Sequence, residues 1–268
     1  MKKYLPILFL LYAIIFFLSI TLSENSSAFM GWKTGAKTVG KIIKLGKSEG
    51  ALPEKKIIEL AEKIRVRGDV SDVRKMIGRM NLPDGVAADT FMRIAVHNKK
   101  LTRAEAEKMF VNLRRTKGFR AALSKINGVS PLQRKGHLNE LRIANHGSEN
   151  GFKVLAIGKK FDDGIKKNLT DIDVLFKKKN KTFAVEAKNW RNVMTGNLIE
   201  IRKDMDSLVA YKRKADSDAN LIFTFRNKPS DPKVKRMIDM EARKRGIEVI
   251  YGDPASVIYQ IDQLSSIL

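Results

Sequence analysis

Two short runs carry the side chains most able to do chemistry. Asp171-Ile172-Asp173-Val174-Leu175-Phe176 alternates acids with apolar residues, and Val185-Glu186-Ala187-Lys188 follows closely. Side chains on a strand alternate faces. Asp171 and Asp173 therefore share one face, and Glu186 and Lys188 share another. The polar joint Lys177–Lys181 predicts a hairpin, which would gather three carboxylates and one ammonium over an apolar base. Phosphodiester hydrolysis needs an activated water and a stabilised pentacovalent phosphate. A hard divalent cation supplies both and prefers carboxylate oxygens. Asp173 and Glu186 are the expected ligands, with the backbone carbonyl of Ala187 as a further one and Asp171 as an alternative. Lys188 can orient or deprotonate the water, or neutralise the charge developing on phosphate. Glu140, upstream in Lys135-Gly136-His137-Leu138-Asn139-Glu140, lies on a predicted helix that can deliver it to the same metal. His137 and His146 read as surface or packing residues.

The elements that must position these groups follow from periodicity. The order expected over 132–267 is helix, three strands, helix, strand, helix, strand, helix. The first helix spans 132–150 and carries Leu138, Leu141 and Ile143. The first strand is Phe152–Ile157, and the motif hairpin comes next. A helix over 197–215 has an apolar stripe of Leu198, Ile201, Met205 and Leu208 at helical spacing. Leu221–Phe225 and Ile247–Tyr251 are strands flanking a helix, Pro232–Arg245, that Gly246 stops. A strand–helix–strand unit implies a parallel pair, hence a mixed α/β sheet with helices on its faces.

Residues 51–127 read as a small all-α module of four or five helices. Ile57, Ile58, Leu60, Ala61 and Ile64 form one stripe, Ser71 is an expected N-cap, and Thr102 with Glu105 forms a capping box. Asn127-Gly128-Val129-Ser130-Pro131 reads as the boundary to a second domain, 128–268. Residues 29–50 are rich in Gly, Lys and Ser and read as a basic flexible linker. Residues 1–28 are an address. Met1-Lys2-Lys3 precedes the uncharged run Tyr4–Leu22, and Ser26 and Ala28 make an A-x-A-like cleavage site. The run also has the length of a bilayer span. It is either a cleaved signal peptide or a retained membrane anchor through residues 4–22, and both predict export from the cytoplasm.

Composition narrows the partners. The chain has 268 residues with 52 Lys+Arg against 29 Asp+Glu, a net charge of +23. The excess is spread over both halves, so no single basic tail explains it. Such a balance points to a polyanion, nucleic acid above all. There is no cysteine, which excludes disulfides, thiolate metal sites and cysteine nucleophiles. The three histidines have no zinc-site spacing, which argues against a zinc enzyme.

The order of elements together with Glu140, Asp173, Glu186 and Lys188 resembles the PD-(D/E)xK nuclease superfamily, over about residues 130–255. That superfamily includes type II restriction enzymes, archaeal Holliday junction resolvases and Mrr-like nucleases. The resemblance implies a restriction-endonuclease-like α-β-β-β-α-β core and Mg²⁺ or Mn²⁺ as cofactor. It matches Asp173 to the first-strand acid, Glu186 and Lys188 to the second-strand (D/E)xK, and Glu140 to the first-helix acid. Thr170 rather than proline precedes Asp171. Trp190 past the motif, and Lys212, Arg213 and Lys214 at the end of the next helix, are the expected nucleic-acid contacts.

The expectation is thus a metal-dependent, exported DNA endonuclease. DNA is favoured over RNA because no aromatic-rich RNA platform is present. The helical module ahead of a C-terminal nuclease resembles polymorphic toxins such as contact-dependent growth inhibition effectors. Those act with a cognate immunity protein, although their delivery regions are far longer than this one. Uptake or defence against foreign nucleic acid is the other setting for such an enzyme. The rival readings are an RNA (tRNA) nuclease toxin and a non-catalytic, membrane-tethered nucleic-acid-binding protein.

Overall fold

The structure, a computed structural model, describes residues 52–267 apart from 68–69, 129 and 165–169. The expected address segment, 1–28, and the expected basic linker, 29–50, lie outside the described residues. The described residues fall within one compact unit. Among them no helix is long and apolar enough to cross a membrane.

The chain enters through α1 (Glu54–Arg67), α2 (Val70–Arg79), α3 (Asp84–His97), α4 (Arg103–Leu113) and α5 (Phe119–Gly128). The expected box closes α4: Glu105 N–H donates to Thr102 Oγ1 at 3.2 Å, and Thr102 N–H donates to Glu105 Oε2 at 3.0 Å. Ser71 does not cap α2. The helix is already under way at Val70, which places Ser71 in its first turn.

After this layer come α6 (Pro131–Glu149), β1 (Lys153–Phe161), β2 (Thr170–Lys178), β3 (Lys181–Lys188), α7 (Leu198–Lys214), β4 (Asn220–Phe225), α8 (Pro232–Lys244), β5 (Ile247–Tyr251) and α9 (Pro254–Ile267). The order α-β-β-β-α-β is as expected, and the fold is mixed α/β. The sheet runs β1-β2-β3-β4-β5. β2 is antiparallel to both β1 and β3, and β3, β4 and β5 are parallel. Ser130 caps α6 ahead of Pro131, and Asp231 caps α8 ahead of Pro232. Proline suits this first helical position because its missing N–H would have no partner there.

The β2–β3 joint is a two-residue turn, with Lys178 opposite Lys181. Lys179 (φ 47°) and Asn180 (φ 65°) both take positive φ, the demand of a turn whose twist matches the strands. Alternation then sorts the faces. Ala184, Leu221, Phe223 and Phe225 pack with Ile201, Met205, Leu208, Val234 and Ile238 of α7 and α8. On the other face Phe152 meets Phe176 and Phe183, with ring centroids 5.5 and 6.0 Å apart. There α6 approaches so closely that a Cβ on Gly147 would lie 2.3 Å from the Phe176 ring.

The helical layer is stitched to the sheet edge at Lys117, whose carbonyl accepts from Ile157 N–H at 2.9 Å. Gly118 (φ +88°) makes the approach possible, since a Cβ there would lie 1.9 Å from the Ile157 oxygen. Gly118→Ala is therefore expected to cost at least about 2–3 kcal/mol, because a strained φ adds to the forced separation of helix and strand. A melting temperature unchanged from wild type would rule out this approach as a clamp.

Candidate active site

The site arises where two strands stop pairing. The β2–β3 ladder runs from Lys178–Lys181 up to Val174–Val185 and ends there, while β2 continues along β1 to Thr170. At the fork Asp173 replaces backbone with side chain. Its Oδ2 accepts the Ala187 N–H at 2.8 Å. Glu186 and Lys188 flank that amide on the α7 face, with Lys188 Nζ 2.9 Å from Glu186 Oε1. Glu140 comes from α6, on the opposite face, and is buried at 7% exposure. His137, one turn earlier, holds Glu140 Oε1 through Nδ1 at 2.9 Å.

Electrostatics show that these groups share one space. Burial pushes the Asp173 carboxyl well above its usual range, and the Glu186 and Glu140 carboxylates push it further. Lys188 and the Ala187 N–H offset this only in part. Burial likewise raises Glu186 to about 7 despite Lys188, with Asp204 and Glu140 adding repulsion. Burial alone would lower Lys188. The carboxylates of Glu186, Asp204 and Asp173 outweigh it, so the ammonium is held charged more firmly than usual.

The structure thus brings Glu140, Asp173, Glu186 and Lys188 together, and it leaves Asp171 out. Asp171 faces the helical layer, with its Oδ2 3.5 Å from Lys125 Nζ of α5. Trp190 lies beside the site: Lys188 Nζ is 5.8 Å from its ring centroid, and the ring also packs on Phe225. The cations at the end of α7 lie elsewhere. Lys212 lines a groove with Phe183, Asn220 and Gly246, at the N-terminal ends of the parallel strands, whereas Lys188 ends β3. Lys214 Nζ turns to the Asp162 carbonyl at 3.4 Å. His146 pairs with Glu149 at 3.3 Å, outside the cluster, whereas His137 is part of it.

Sequence reasoning missed Asp204. It sits on α7 with Oδ2 2.6 Å from Lys188 Nζ. The signal was present, because Asp204 interrupts the buried stripe of Ile201, Met205 and Leu208 at helical spacing. The His137–Glu140 pair had the i,i+3 spacing that places two side chains on one helix face.

The donor chemistry fits a hard divalent cation. Three carboxylates crowd one another, and only one oxygen of each has a hydrogen-bond partner among the described residues. Among those residues no three His, Cys, Asp or Glu side chains stand already grouped as a metal shell. Binding would need Asp173, Glu186 and Glu140 to turn toward one point.

No family model matches the chain, and no curated protein matches it. Among solved structures, Can2 from Sulfobacillus thermosulfidooxidans, in complex with cyclic tetra-adenylate, aligns with a TM-score of 0.35 at 13% identity. The alignment covers 79% of this chain and 56% of that one, so this chain spans little more than half of its length. A likeness of that size carries no argument about fold or function.

Proposed function

We propose that the chain is a metal-dependent nuclease of the PD-(D/E)xK type, acting as a DNA endonuclease outside the cytoplasm of the cell that makes it. The observation that carries this reading is the convergence of Asp173, Glu186, Glu140 and Lys188 at the fork of β2 and β3. A cation held there by Asp173, Glu186 and Glu140 would supply an activated water and neutralise phosphate charge. The chain's own groups do the rest. Lys188 presents a fixed positive charge to a phosphate oxygen, already oriented and so without reorganisation cost. The Ala187 N–H fixes one oxygen of Asp173 and leaves the other to a ligand. His137 orients Glu140 in the same way.

The test is nicking of supercoiled plasmid, and cleavage of RNA in parallel, with Mg²⁺ or Mn²⁺. Wild type is expected to cut DNA in preference, and Glu186→Ala and Lys188→Ala to lose at least about a hundredfold. Wild-type protein that leaves both nucleic acids intact would sink the enzyme reading. Preferential cleavage of RNA would replace the substrate. Export is tested by sequencing the N-terminus of the mature protein, since an intact Met1 on soluble cytoplasmic protein would overturn it.

The strand ends also suggest where nucleic acid lies. Lys135, Arg191, Arg226 and Lys228 are exposed, on segments joined to the end of β3. Backbone contacts anchor this rim: Asn189 Nδ2 donates to Lys135 O at 2.7 Å, Arg226 N–H to Lys188 O at 2.9 Å, and Asn227 Nδ2 to Trp190 O at 2.9 Å. Replacing Arg191, Arg226 and Lys228 together by Ala should weaken DNA binding in EDTA. The slope of log affinity against log salt should fall by roughly 0.9 for each phosphate that is no longer neutralised. The same triple replacement at Lys212, Arg213 and Lys214 should change the slope less. The reverse result would return the interface to α7.

A further inference from the structure

Asp204 is an acid where the apolar stripe of α7 should continue. It is 8% exposed, and its neighbours Ile201, Met205 and Leu208 are fully buried. A carboxylate in such a place costs several kcal/mol unless it is paired. Its partner is the Lys188 ammonium at 2.6 Å. Lys188 is therefore gripped from two sides, by Glu186 on its own strand at 2.9 Å and by Asp204 across the helix–sheet interface.

The two grips are not equivalent. Glu186 stands on the strand beside the Ala187 amide that Asp173 takes, and it is a candidate metal ligand. Asp204 also repels Glu186, but it reaches Lys188 from α7, across the helix–sheet interface. When a Glu186 oxygen turns to another partner, the ammonium loses that grip. A lysine side chain has four rotatable carbons and no planar fork to fix it. Without a second anchor it would swing toward solvent past Trp190, and a misplaced charge stabilises a transition state poorly.

We propose that Asp204 is the positioning residue for Lys188: it keeps the ammonium at the fork of β2 and β3 while Glu186 is engaged elsewhere, so that the charge is in place when the phosphate reacts. This rests on the nuclease reading above. The role requires an acid on α7 facing the (D/E)xK lysine, and it separates Asp204 from the metal-side carboxylates.

The experiment uses the full chain and compares wild type with Asp204→Asn, Asp204→Glu, Lys188→Met and the Asp204→Asn/Lys188→Met double variant. It measures kcat and KM for plasmid nicking in saturating Mg²⁺, Mn²⁺ binding by electron paramagnetic resonance, and melting temperature. Asp204→Asn is expected to lower kcat about 30- to 100-fold, the scale on which removing one preorganised charge acts, with KM and the Mn²⁺ Kd each within about threefold of wild type. Asp204→Glu, which keeps the charge one methylene displaced, should lose only about three- to tenfold. In the Lys188→Met background Asp204→Asn should cost less than about twofold more, because residues acting as a unit are not additive.

A merely structural acid would lower the melting temperature and leave kcat untouched, which overturns the proposal. So does an equal loss of activity with and without Lys188, or a tenfold change in Mn²⁺ binding. If Asp204→Asn does not fold, Asp204→Glu decides: a kcat at least threefold down at unchanged KM supports the proposal, and a wild-type kcat overturns it. A wild type inert on DNA and RNA removes the nuclease reading and this role with it. An active wild type with an unaffected Asp204→Asn removes only the role.

Discussion

Asp173→Asn is expected to abolish cleavage and to make the metal-free protein more stable. The amide oxygen can still accept the Ala187 N–H that Asp173 Oδ2 accepts at 2.8 Å, so the fork keeps its shape. What disappears is a carboxyl whose ionisation is opposed by burial and by its neighbours, Glu186 and Glu140. A folded protein that keeps an acid from ionising in this way trades stability for function. Relief of about 1–2 kcal/mol would raise the melting temperature by about 2–8 °C for a domain of this size. Nicking should fall by at least about a thousandfold, since a missing ligand removes both the activated water and the charge neutralisation. Asp171→Asn is the control. Its pair with Lys125 is 3.5 Å long and more than a third exposed on both sides. Such surface pairs contribute about 0–1 kcal/mol, and activity should stay within about threefold. A variant at Asp173 that still cuts within about tenfold of wild type, or that melts lower in EDTA, would refute the assignment.

This choice between two aspartates marks where the sequence stopped being informative. Alternation placed Asp171 and Asp173 on one face of a strand, yet Asp173 reaches the Ala187 N–H of β3 while Asp171 reaches Lys125 of α5. It could not say where the β2–β3 ladder ends, because the end depends on a side chain, Asp173, taking a backbone donor from the neighbouring strand. The order of elements was legible because each has a local signature. The Thr102–Glu105 box, Pro131 after Ser130 and Pro232 after Asp231 all act within one helical turn. Asp204 was harder. Its meaning depends on which face of α7 meets β3, a long-range fact, although its place in an apolar stripe was visible. The α7 cations are ambiguous for the opposite reason. Lys212–Lys214 look like a phosphate patch, yet a helix C-terminus favours cations in any protein. Lys214 spends its ammonium on a loop carbonyl.

The second large effect is on stability against pH, and it should depend on metal. In the metal-free protein Glu186 is pushed from 4.5 up to about 7, first by burial and then by Asp204 and Glu140. A carboxyl whose folded pKa is raised contributes stability below its unfolded pKa and loses it as pH rises through the folded value. Between about pH 4.5 and 7 the protein should therefore weaken, by on the order of 3 kcal/mol for Glu186 alone. Asp173, also raised, adds with the same sign. Asp89 of α3 contributes separately. It is 2% exposed, with Arg93 3.7 Å away, and burial lifts it from 3.8 to about 6. Asp89→Asn should flatten the acidic part of the curve and leave the part near neutrality. A divalent cation changes only the neutral part, because protons and metal compete for the same carboxylates. At pH 8, Mg²⁺ or Mn²⁺ at a hundred times its Kd should stabilise by about 2.7 kcal/mol, or roughly 5–10 °C. At pH 5.5 the same addition should give a small fraction of that shift, and Asp173→Asn should lack most of it at either pH. Equal metal shifts at both pH values, or a full shift in Asp173→Asn, would place the cation away from the fork of β2 and β3. The carboxylates there would then be a structural cluster held by Lys188.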